Sequence, residues 1–279
     1  MQRRHCKLTP VTAALPPFLK WAGGKRWLAP SLPGYLPRYL NRYIEPFLGG
    51  GSCFFTLLPP RAALSDLNER LIGAYRAVRD EPAQVLTHLT RHAHVHDDDY
   101  YYRVRSLEFE SEAERAAQFI YLNRTCWNGL YRVNLRGEFN VPRGTKDAVI
   151  LQTDNFQAYA ALLKDAEINC CDFEAAIDQA TRGDFIFADP PYTVAHNNNG
   201  FIKYNQSIFS FYDQIRLRDC LVRAVARGAT VLLTNAAHNS IVDLYEAHGT
   251  IRRLTRASVL AGSASHRSST EELLVTMGY

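Results

Sequence analysis

The segment of this chain best suited to chemistry follows the short apolar run at residues 185–188. It consists of an acid, two prolines and an aromatic residue: Asp189, Pro190, Pro191 and Tyr192. Such a run predicts a central strand of a parallel sheet, and proline ends it because proline has no N–H for the ladder. The turn should therefore lie at the carboxyl edge of the sheet, where open α/β folds bind ligands. Because proline fixes φ, binding would cost little conformational entropy in the carboxylate, the backbone carbonyls and the Tyr192 ring. Such a rigid set of acceptors and an aromatic face suits a flat base whose amine donates two hydrogen bonds. A simple strand-ending turn is the alternative, and the flanking strand, acid and tyrosine favour a catalytic turn.

A glycine loop nearer the start predicts a second site. Residues 43–47 indicate a strand that runs into Gly49, Gly50 and Gly51, and an apolar helical start follows. The loop has neither the Walker pattern nor G-x-G-x-x-G, so a pyrophosphate is not its natural ligand. Glu45 would attract the ammonium group of an amino acid, and Asp66, at the end of the next predicted strand, would accept hydrogen bonds from ribose hydroxyls. Together these features fit S-adenosylmethionine, whereas a turn with a helix-capping Asp is the simpler alternative.

The bulk composition is that of an ordinary soluble globular protein. The chain has 279 residues, 47% of them hydrophobic and 22% charged. No apolar run approaches the ~18 residues that span a bilayer, and the start has no signal-peptide pattern, so we expect a cytoplasmic protein. The cysteines form no C-x-x-C pair, which predicts free thiols and no metal site.

Charge is unevenly distributed, although the net charge is only +4. Residues 1–42 contain basic side chains and no acidic one, and further basic stretches lie at 124–146 and 252–267, whereas acids crowd into 65–115. Taken alone, this segregation of charge would be explained equally well by solvent-exposed faces of the protein. Because the basic stretches also hold the sharpest motifs, we favour a polyanionic partner.

The order of predicted elements indicates one α/β sheet domain interrupted by a helical insertion. Strands are predicted near residues 43–47, 62–66, 168–171, 185–187, 230–234, 250–253 and 273–276. Residues 81–161 are mostly helical, polar and rich in Arg. We therefore divide the chain into residues 1–80, the cofactor-binding part of the sheet domain, 81–165, the insertion, and 166–279, the catalytic part.

Five motifs in a fixed order make a resemblance specific. They are residues 18–25 (FLKWAGGK), residues 45–52 (EPFLGGGS), residues 66–68 (DLN), residues 121–142 (YLNRTCWNGLYRVNLRGEFNVP) and residues 189–192 (DPPY). This set resembles the Dam-type, D12-class family of DNA adenine methyltransferases, which modify adenine within GATC. The similarity runs from about residue 17 to the C-terminus.

The resemblance implies a Rossmann-like, S-adenosylmethionine-dependent methyltransferase sheet with an inserted helical DNA-recognition domain. The implied catalytic residues are Asp189, Pro190, Pro191 and Tyr192. The expected cofactor-binding residues are Trp21, Lys25, Glu45, Phe47, Gly49, Gly51, Asp66 and Asp189. The expected DNA-binding residues are Lys20, Arg124, Trp127, Asn128, Leu130, Arg132 and Arg136. The expected partner is double-stranded DNA, contacted by a monomer, with no metal and no membrane.

Within the DNA-binding set, the resemblance gives individual roles. Trp127 and Asn128, in a β-hairpin, would fill the gap left by an extruded base, while Arg132 and Lys20 would each contact a guanine. Arg pairs bidentately with guanine O6 and N7, and an enzyme acting on a base inside a duplex must first flip that base out.

Three rival functions remain open on the sequence. An amino-methyltransferase acting on RNA or protein would share the Asp-Pro-Pro-Tyr turn but would not need the 121–142 block. A dehydrogenase would need G-x-G-x-x-G, and a non-catalytic DNA-binding regulator could lose the turn. A loop at 197–200 and the following 209–214 segment would either close over the site or simply enter a helix.

Overall fold

The computed structural model describes residues 15–37, 39–134, 136–192, 209–257 and 269–279. In chain order its elements are β1 (Tyr43–Glu45), α1 (Ser52–Leu57), β2 (Ala62–Asp66), α2 (Glu69–Asp80), α3 (Pro82–His94), α4 (Asp98–Ser106), α5 (Glu112–Thr125), α6 (Phe156–Leu163), β3 (Glu167–Cys170), α7 (Phe173–Asp178), β4 (Phe185–Ala188), α8 (Phe211–Ala226), β5 (Thr230–Ala236), α9 (Asn239–Tyr245), β6 (Thr250–Ala257) and β7 (Ser269–Met277). Short 3-10 helices span Ala29–Tyr35 and Trp127–Gly129.

The described chain forms two compact units. The first unit contains residues 35–47 and 171–279, and the second contains residues up to Gly34 together with 48–170. Residues 81–165, the predicted insertion, lie within the second unit together with the glycine loop, β2 and α2. The predicted boundaries at residues 80 and 165 stay a prediction.

The first unit is built on five strands in the order β1-β4-β5-β7-β6. β1, β4 and β5 are parallel, and β7 then runs antiparallel to both β5 and β6. Every residue of β4 is buried, as its unbroken apolar sequence predicts for a central parallel strand. Helix α8 begins at a capping box, in which the Ser210 side chain accepts from the Asp213 N–H and the Asp213 side chain accepts from the Ser210 N–H.

The second unit pairs β2 and β3 in parallel and contains helices α1 to α6. Helix α5 is its central element, because almost all of its residues from Ala113 to Thr125 are buried. The buried polar side chains of α5 have internal partners. The Gln118 amide donates to the carbonyls of Val104 and Leu107, and the Thr125 hydroxyl donates to the carbonyl of Tyr121.

The mixed α/β architecture and the seven predicted strands are confirmed, with shifts of a few residues at their ends. The pattern is clearest for β4, an apolar run between Asp184 and Asp189 that is buried throughout, whereas β3, β6 and β7 also contain polar or charged residues. Within the described ranges, no helix is long and apolar enough to cross a membrane.

Candidate active site

The predicted catalytic turn follows β4 in the first unit. Pro190 is buried, and Asp189, Pro191 and Tyr192 are half-buried. The hydroxyl of Thr234, on β5, donates a short hydrogen bond of 2.6 Å to Oδ1 of Asp189. A hydroxyl donating to a carboxylate at this distance makes a charge-assisted bond, which fixes the orientation of the carboxyl group.

The hydroxyl of Tyr192 lies between two carboxylates. It is 3.0 Å from Oε2 of Glu272, on β7, and 3.4 Å from Oδ1 of Asp189. Glu272 is only 1% exposed. Neither Thr234 nor Glu272 was predicted, and the available signal was a polar residue inside each of the strands β5 and β7.

Two predicted cofactor residues lie at the end of β1, also in the first unit. Glu45 is buried and accepts a 2.9 Å hydrogen bond from the Tyr43 hydroxyl. The ring of Phe47 stacks on Phe173 at 5.5 Å between centroids and meets Phe209 edge-on at 5.7 Å. The end of β1 therefore presents a carboxylate and an aromatic surface, of which Phe173 and Phe209 were not predicted.

Phe209 belongs to the segment that was proposed either to close over the site or to enter a helix. Its ring is 5% exposed, and Ser210 caps α8, so the described part of this segment is the entry to a helix. The Asn-rich loop at 197–200 lies outside the described residues.

The glycine loop in the second unit has backbone conformations that favour glycine. Gly49 has φ +48° and Gly51 has φ +64°, both in the left-handed region. A Cβ on Gly49 would lie 2.7 Å from Cδ1 of Trp21. The loop therefore requires glycine for its backbone conformation at both positions and for the close approach of Trp21.

Asp66 ends β2 and closes the glycine loop. Its Oδ2 accepts from the Gly49 N–H and its Oδ1 from the Asn68 N–H, each at 3.0 Å. Burial raises the pKa of Asp66, and the backbone hydrogen bonds oppose that shift. Each oxygen of an ionised carboxylate has a further acceptor position, so hydroxyl donors can still be accepted there.

Trp21 and Lys25, the remaining predicted cofactor residues, occupy the segment before α1. The Trp21 ring stacks on Tyr131 at 5.7 Å and on Phe119 at 6.4 Å. Lys25 is buried, and its ammonium donates a 2.8 Å hydrogen bond to the carbonyl of Gly23. The second unit thus brings together Trp21, the glycine loop and, through the Gly49 N–H, Asp66.

The backbone of Lys20 is fixed by helix α5. The Lys20 N–H donates to the Asn123 side chain at 2.9 Å, and the Asn123 amide donates back to the Lys20 carbonyl at 2.7 Å. The exposed Lys20 side chain passes over Gly129, where a Cβ would lie 2.5 Å from its Cδ. Partial burial lowers the pKa of Lys20, and the positive charge of Lys146 adds to this effect.

Trp127 and Asn128 lie in a 3-10 turn after α5, enclosed by the antiparallel bridge between Cys126 and Arg143, and not on a strand of a β-hairpin. Trp127 is 53% exposed, and Asn128 has φ +55°. The turn is pinned because the Trp127 N–H donates to the Pro142 carbonyl at 2.9 Å. A large aromatic ring therefore projects from an anchored backbone.

A tight hairpin with a single bridge between Val133 and Phe139 follows the half-buried Leu130. Arg132 is exposed at its base, where Nε donates to Oδ1 of Asn140 at 2.9 Å. Arg136 is exposed at its tip. Both side chains reach the surface, as the prediction of nucleic-acid contacts requires.

Arg124 occupies a different environment from the one predicted. Its guanidinium is buried and forms two hydrogen bonds to Asp154, at 2.6 and 2.8 Å. It also donates to the carbonyls of Val149 and Phe18, at 2.8 and 2.9 Å. With its donors used inside the protein, Arg124 is a structural residue, and we remove it from the DNA-binding set.

Comparisons with known proteins agree with the motifs. The sequence model of the family described as D12 class N6 adenine-specific DNA methyltransferase matches residues 21–259. A relative named Type II methyltransferase M1.LlaDCHI, from Lactococcus lactis subsp. cremoris, is 36% identical over 94% of this chain and 95% of its own length. Type II methyltransferase M.MjaIII from Methanocaldococcus jannaschii is 34% identical over 93% of this chain and 98% of its own length.

A third relative is named DNA adenine methylase, from Serratia marcescens. It is 32% identical over 92% of this chain and 96% of its own length. The family match covers most of the chain, and the mixed α/β fold is consistent with a methyltransferase that uses S-adenosylmethionine. The chain therefore belongs to the D12 class N6 adenine-specific DNA methyltransferase family.

Proposed function

We propose that this adenine-specific DNA methyltransferase acts on GATC in duplex DNA as a monomer, and that it rotates the target adenine out of the helix before transfer. The observation that carries the proposal is the Asp189–Tyr192 turn, whose carboxylate is held by the Thr234 hydroxyl at 2.6 Å. An acceptor fixed in this way suits a base amine that must donate hydrogen bonds.

The exocyclic amine of adenine is a poor nucleophile because its lone pair is delocalised into the ring. In the proposed mechanism, the Asp189 carboxylate and the Pro190 carbonyl accept hydrogen bonds from its two N–H groups. These bonds draw the nitrogen toward tetrahedral geometry and stabilise the positive charge that develops on it. Tyr192 stacks on the base and holds it in position for attack. S-adenosylmethionine, when bound, supplies the electrophilic methyl group.

The residues present fit S-adenosylmethionine, which joins a nucleoside to an amino acid and has no phosphate. In the first unit, buried Glu45 suits an ammonium group and the Phe47 ring suits a purine. In the second unit, Asp66 is assigned to the ribose hydroxyls, and Gly49 and Gly51 to close approach along the backbone. Trp21 and Lys25 complete the proposed cofactor set.

The proposed DNA contacts rest on exposed side chains of the second unit. Arg132 and Lys20 would each contact a guanine of GATC, and Trp127 with Asn128 would fill the space that the flipped adenine leaves. Leu130 would pack beside this wedge, and Arg136, at the hairpin tip, would contact the DNA backbone. The exposed, anchored ring of Trp127 supports this assignment.

A single methylation assay tests the function. The protein is incubated with labelled S-adenosylmethionine and an unmethylated duplex that contains one GATC, and the product is then digested with a nuclease that cuts only unmethylated GATC. We expect incorporation of label and protection from cleavage. A duplex altered at one guanine of the site serves as the matched control and should gain little label.

The variant Asp189→Ala tests the assigned catalytic group in the same assay. Loss of a group that stabilises a transition state commonly lowers the rate by ~10²–10³-fold, whereas DNA affinity should stay within a few-fold. Wild-type-like turnover by Asp189→Ala would contradict the mechanism. Label that enters RNA or protein but not the duplex would contradict the proposed substrate.

A further inference from the structure

Glu272 reaches the catalytic turn because β7 runs antiparallel to β5. In the register of these strands Glu272 lies opposite Ala236, and Thr234 opposite Leu274. Residues directly opposite each other in an antiparallel pair share a face, as do residues two apart on one strand. Thr234 and Glu272 are therefore diagonal neighbours on one face of the sheet. Ala188 pairs with Leu233, which puts Asp189, one residue further on, beside Thr234.

The hydrogen-bond distances decide how the Tyr192 hydroxyl is used. A phenol has one proton to donate. Its oxygen is 3.0 Å from Glu272 and 3.4 Å from Asp189, so the shorter and better bond goes to Glu272. The Asp189 oxygen involved already accepts from Thr234 at 2.6 Å. Donation toward Glu272 therefore keeps the Tyr192 hydroxyl from donating to the catalytic carboxylate.

Burial makes this assignment stronger. A carboxylate that is 1% exposed is costly unless hydrogen bonds compensate for the lost water. The Tyr192 hydroxyl is one such donor. A charged acceptor also makes a stronger bond than a neutral one, so the Tyr192 ring is well fixed in orientation.

We propose that Glu272 is a positioning residue, which holds the hydroxyl of Tyr192 away from Asp189 and so fixes the ring that stacks on the target base. The inference rests on the proposed function, in which Asp189 accepts from the amine. Without Glu272, the Tyr192 hydroxyl would turn to Asp189 and compete with the substrate amine for its lone pairs.

Three variants separate hydrogen bonding from charge and from general disruption. Glu272→Ala should lower kcat by about 10- to 100-fold, because small misplacements of reacting groups cost rates of this order. Glu272→Gln keeps an acceptor oxygen and should stay within about fivefold of wild type. The matched control is Glu271→Ala, since Glu271 lies next to Glu272 on β7 but is exposed, and it pairs with Arg253 of β6 at 3.5 Å. This control should leave kcat unchanged.

A double-mutant cycle makes the test specific to Tyr192. In a Tyr192→Phe background, Glu272→Ala should have little further effect on kcat, because the hydroxyl that Glu272 holds is absent. The affinity for S-adenosylmethionine should stay within about twofold in all variants. Equal losses in Glu272→Ala and Glu272→Gln, or additive losses in the double mutant, would overturn the proposal.

A readout that does not depend on activity keeps the inference separate from the proposed function. With 3-fluorotyrosine incorporated in the full chain, the ¹⁹F resonance that disappears in Tyr192→Phe is assigned to Tyr192. That resonance should shift in Glu272→Gln and stay in place in Glu271→Ala. An unmoved resonance would refute the contact. If the resonance shifts but wild-type protein methylates no DNA, the proposed function fails and the contact stands.

Discussion

Replacing Arg124 with alanine should destabilise this protein without a matching loss of DNA affinity. The guanidinium binds Asp154 through two hydrogen bonds, and both side chains are 4% exposed. The same group satisfies the carbonyls of Phe18 and Val149, so it connects α5 to two separate segments of the second unit. Its removal leaves a buried carboxylate and two buried carbonyls without this donor.

The size of the effect follows from those lost partners. Removal of one member of a buried ion pair costs about 3–5 kcal/mol, a large part of the ~5–15 kcal/mol that stabilises a typical domain. At about 2–4 °C per kcal/mol for large chains, the melting temperature should fall by about 6–20 °C. The double variant Arg124→Met with Asp154→Leu should recover much of this loss, because apolar replacement of a whole buried pair is often nearly neutral. Recovery should be incomplete, since Asp154 also accepts from the Leu151 N–H at 2.8 Å.

The assay combines urea unfolding with fluorescence anisotropy on a GATC duplex, measured well below the melting temperature of the variant. Arg136→Ala is the matched control, because Arg136 is exposed at the hairpin tip. The control should lower DNA affinity and leave the free energy of unfolding within about 0.5 kcal/mol of wild type. The opposite pattern in Arg124→Ala, with unchanged stability and DNA affinity lowered tenfold or more, would refute the structural role.

Three further predictions concern the second unit. Trp127→Ala should weaken base flipping more than DNA binding, so a duplex with 2-aminopurine at the target position should fluoresce less than with wild type; equal fluorescence would remove Trp127 from the wedge. Arg132→Ala should cost ~1–3 kcal/mol on GATC and little on sites already altered at the contacted guanine, whereas a uniform loss with a smaller salt dependence would indicate a phosphate contact. Burial lowers the pKa of His92 to about 4 from an ordinary 6.5, so the folded protein binds this proton more weakly than the unfolded chain. The contribution of neutral His92 to the free energy of unfolding is complete above pH 6.5 and should fall by about 3 kcal/mol as the pH decreases from 6.5 to below 4. His92→Phe should flatten that dependence in urea titrations, and an unchanged slope would show that other groups cause it.

Local sequence pattern was sufficient to predict most of the first unit. The run at 185–188 is uniformly apolar and ends in an acid and two prolines, so strand, boundary and edge could be inferred together. The same holds for β1, and in the second unit for the glycine loop. Each of these features is determined within about ten residues of chain, which is the range over which periodicity and turn residues act.

The contacts that sequence pattern missed depend on residues far apart in the chain. Arg124 was assigned to DNA because it lies inside a motif rich in Arg and aromatics, but its partner Asp154 is 30 residues away. Glu272 and Tyr192 are 80 residues apart, and their contact follows from the register of β7 against β5. Neither the burial of an individual polar side chain nor the register between distant strands is visible in local pattern.

The polar side chains of α5 explain how the second unit positions residues with different proposed roles. Asn123 forms two hydrogen bonds with the backbone of Lys20, Arg124 donates to the carbonyl of Phe18, and the Phe119 ring stacks on Trp21. The segment that carries the proposed guanine contact and a proposed cofactor contact is thus fixed to one buried helix. The same helix ends at Thr125, two residues before Trp127, so its C-terminus also sets the position of the proposed wedge. Polar groups buried in a helix are costly unless paired, and the partners of Asn123 and Arg124 include backbone atoms of Lys20 and Phe18, in the segment that must be held in place.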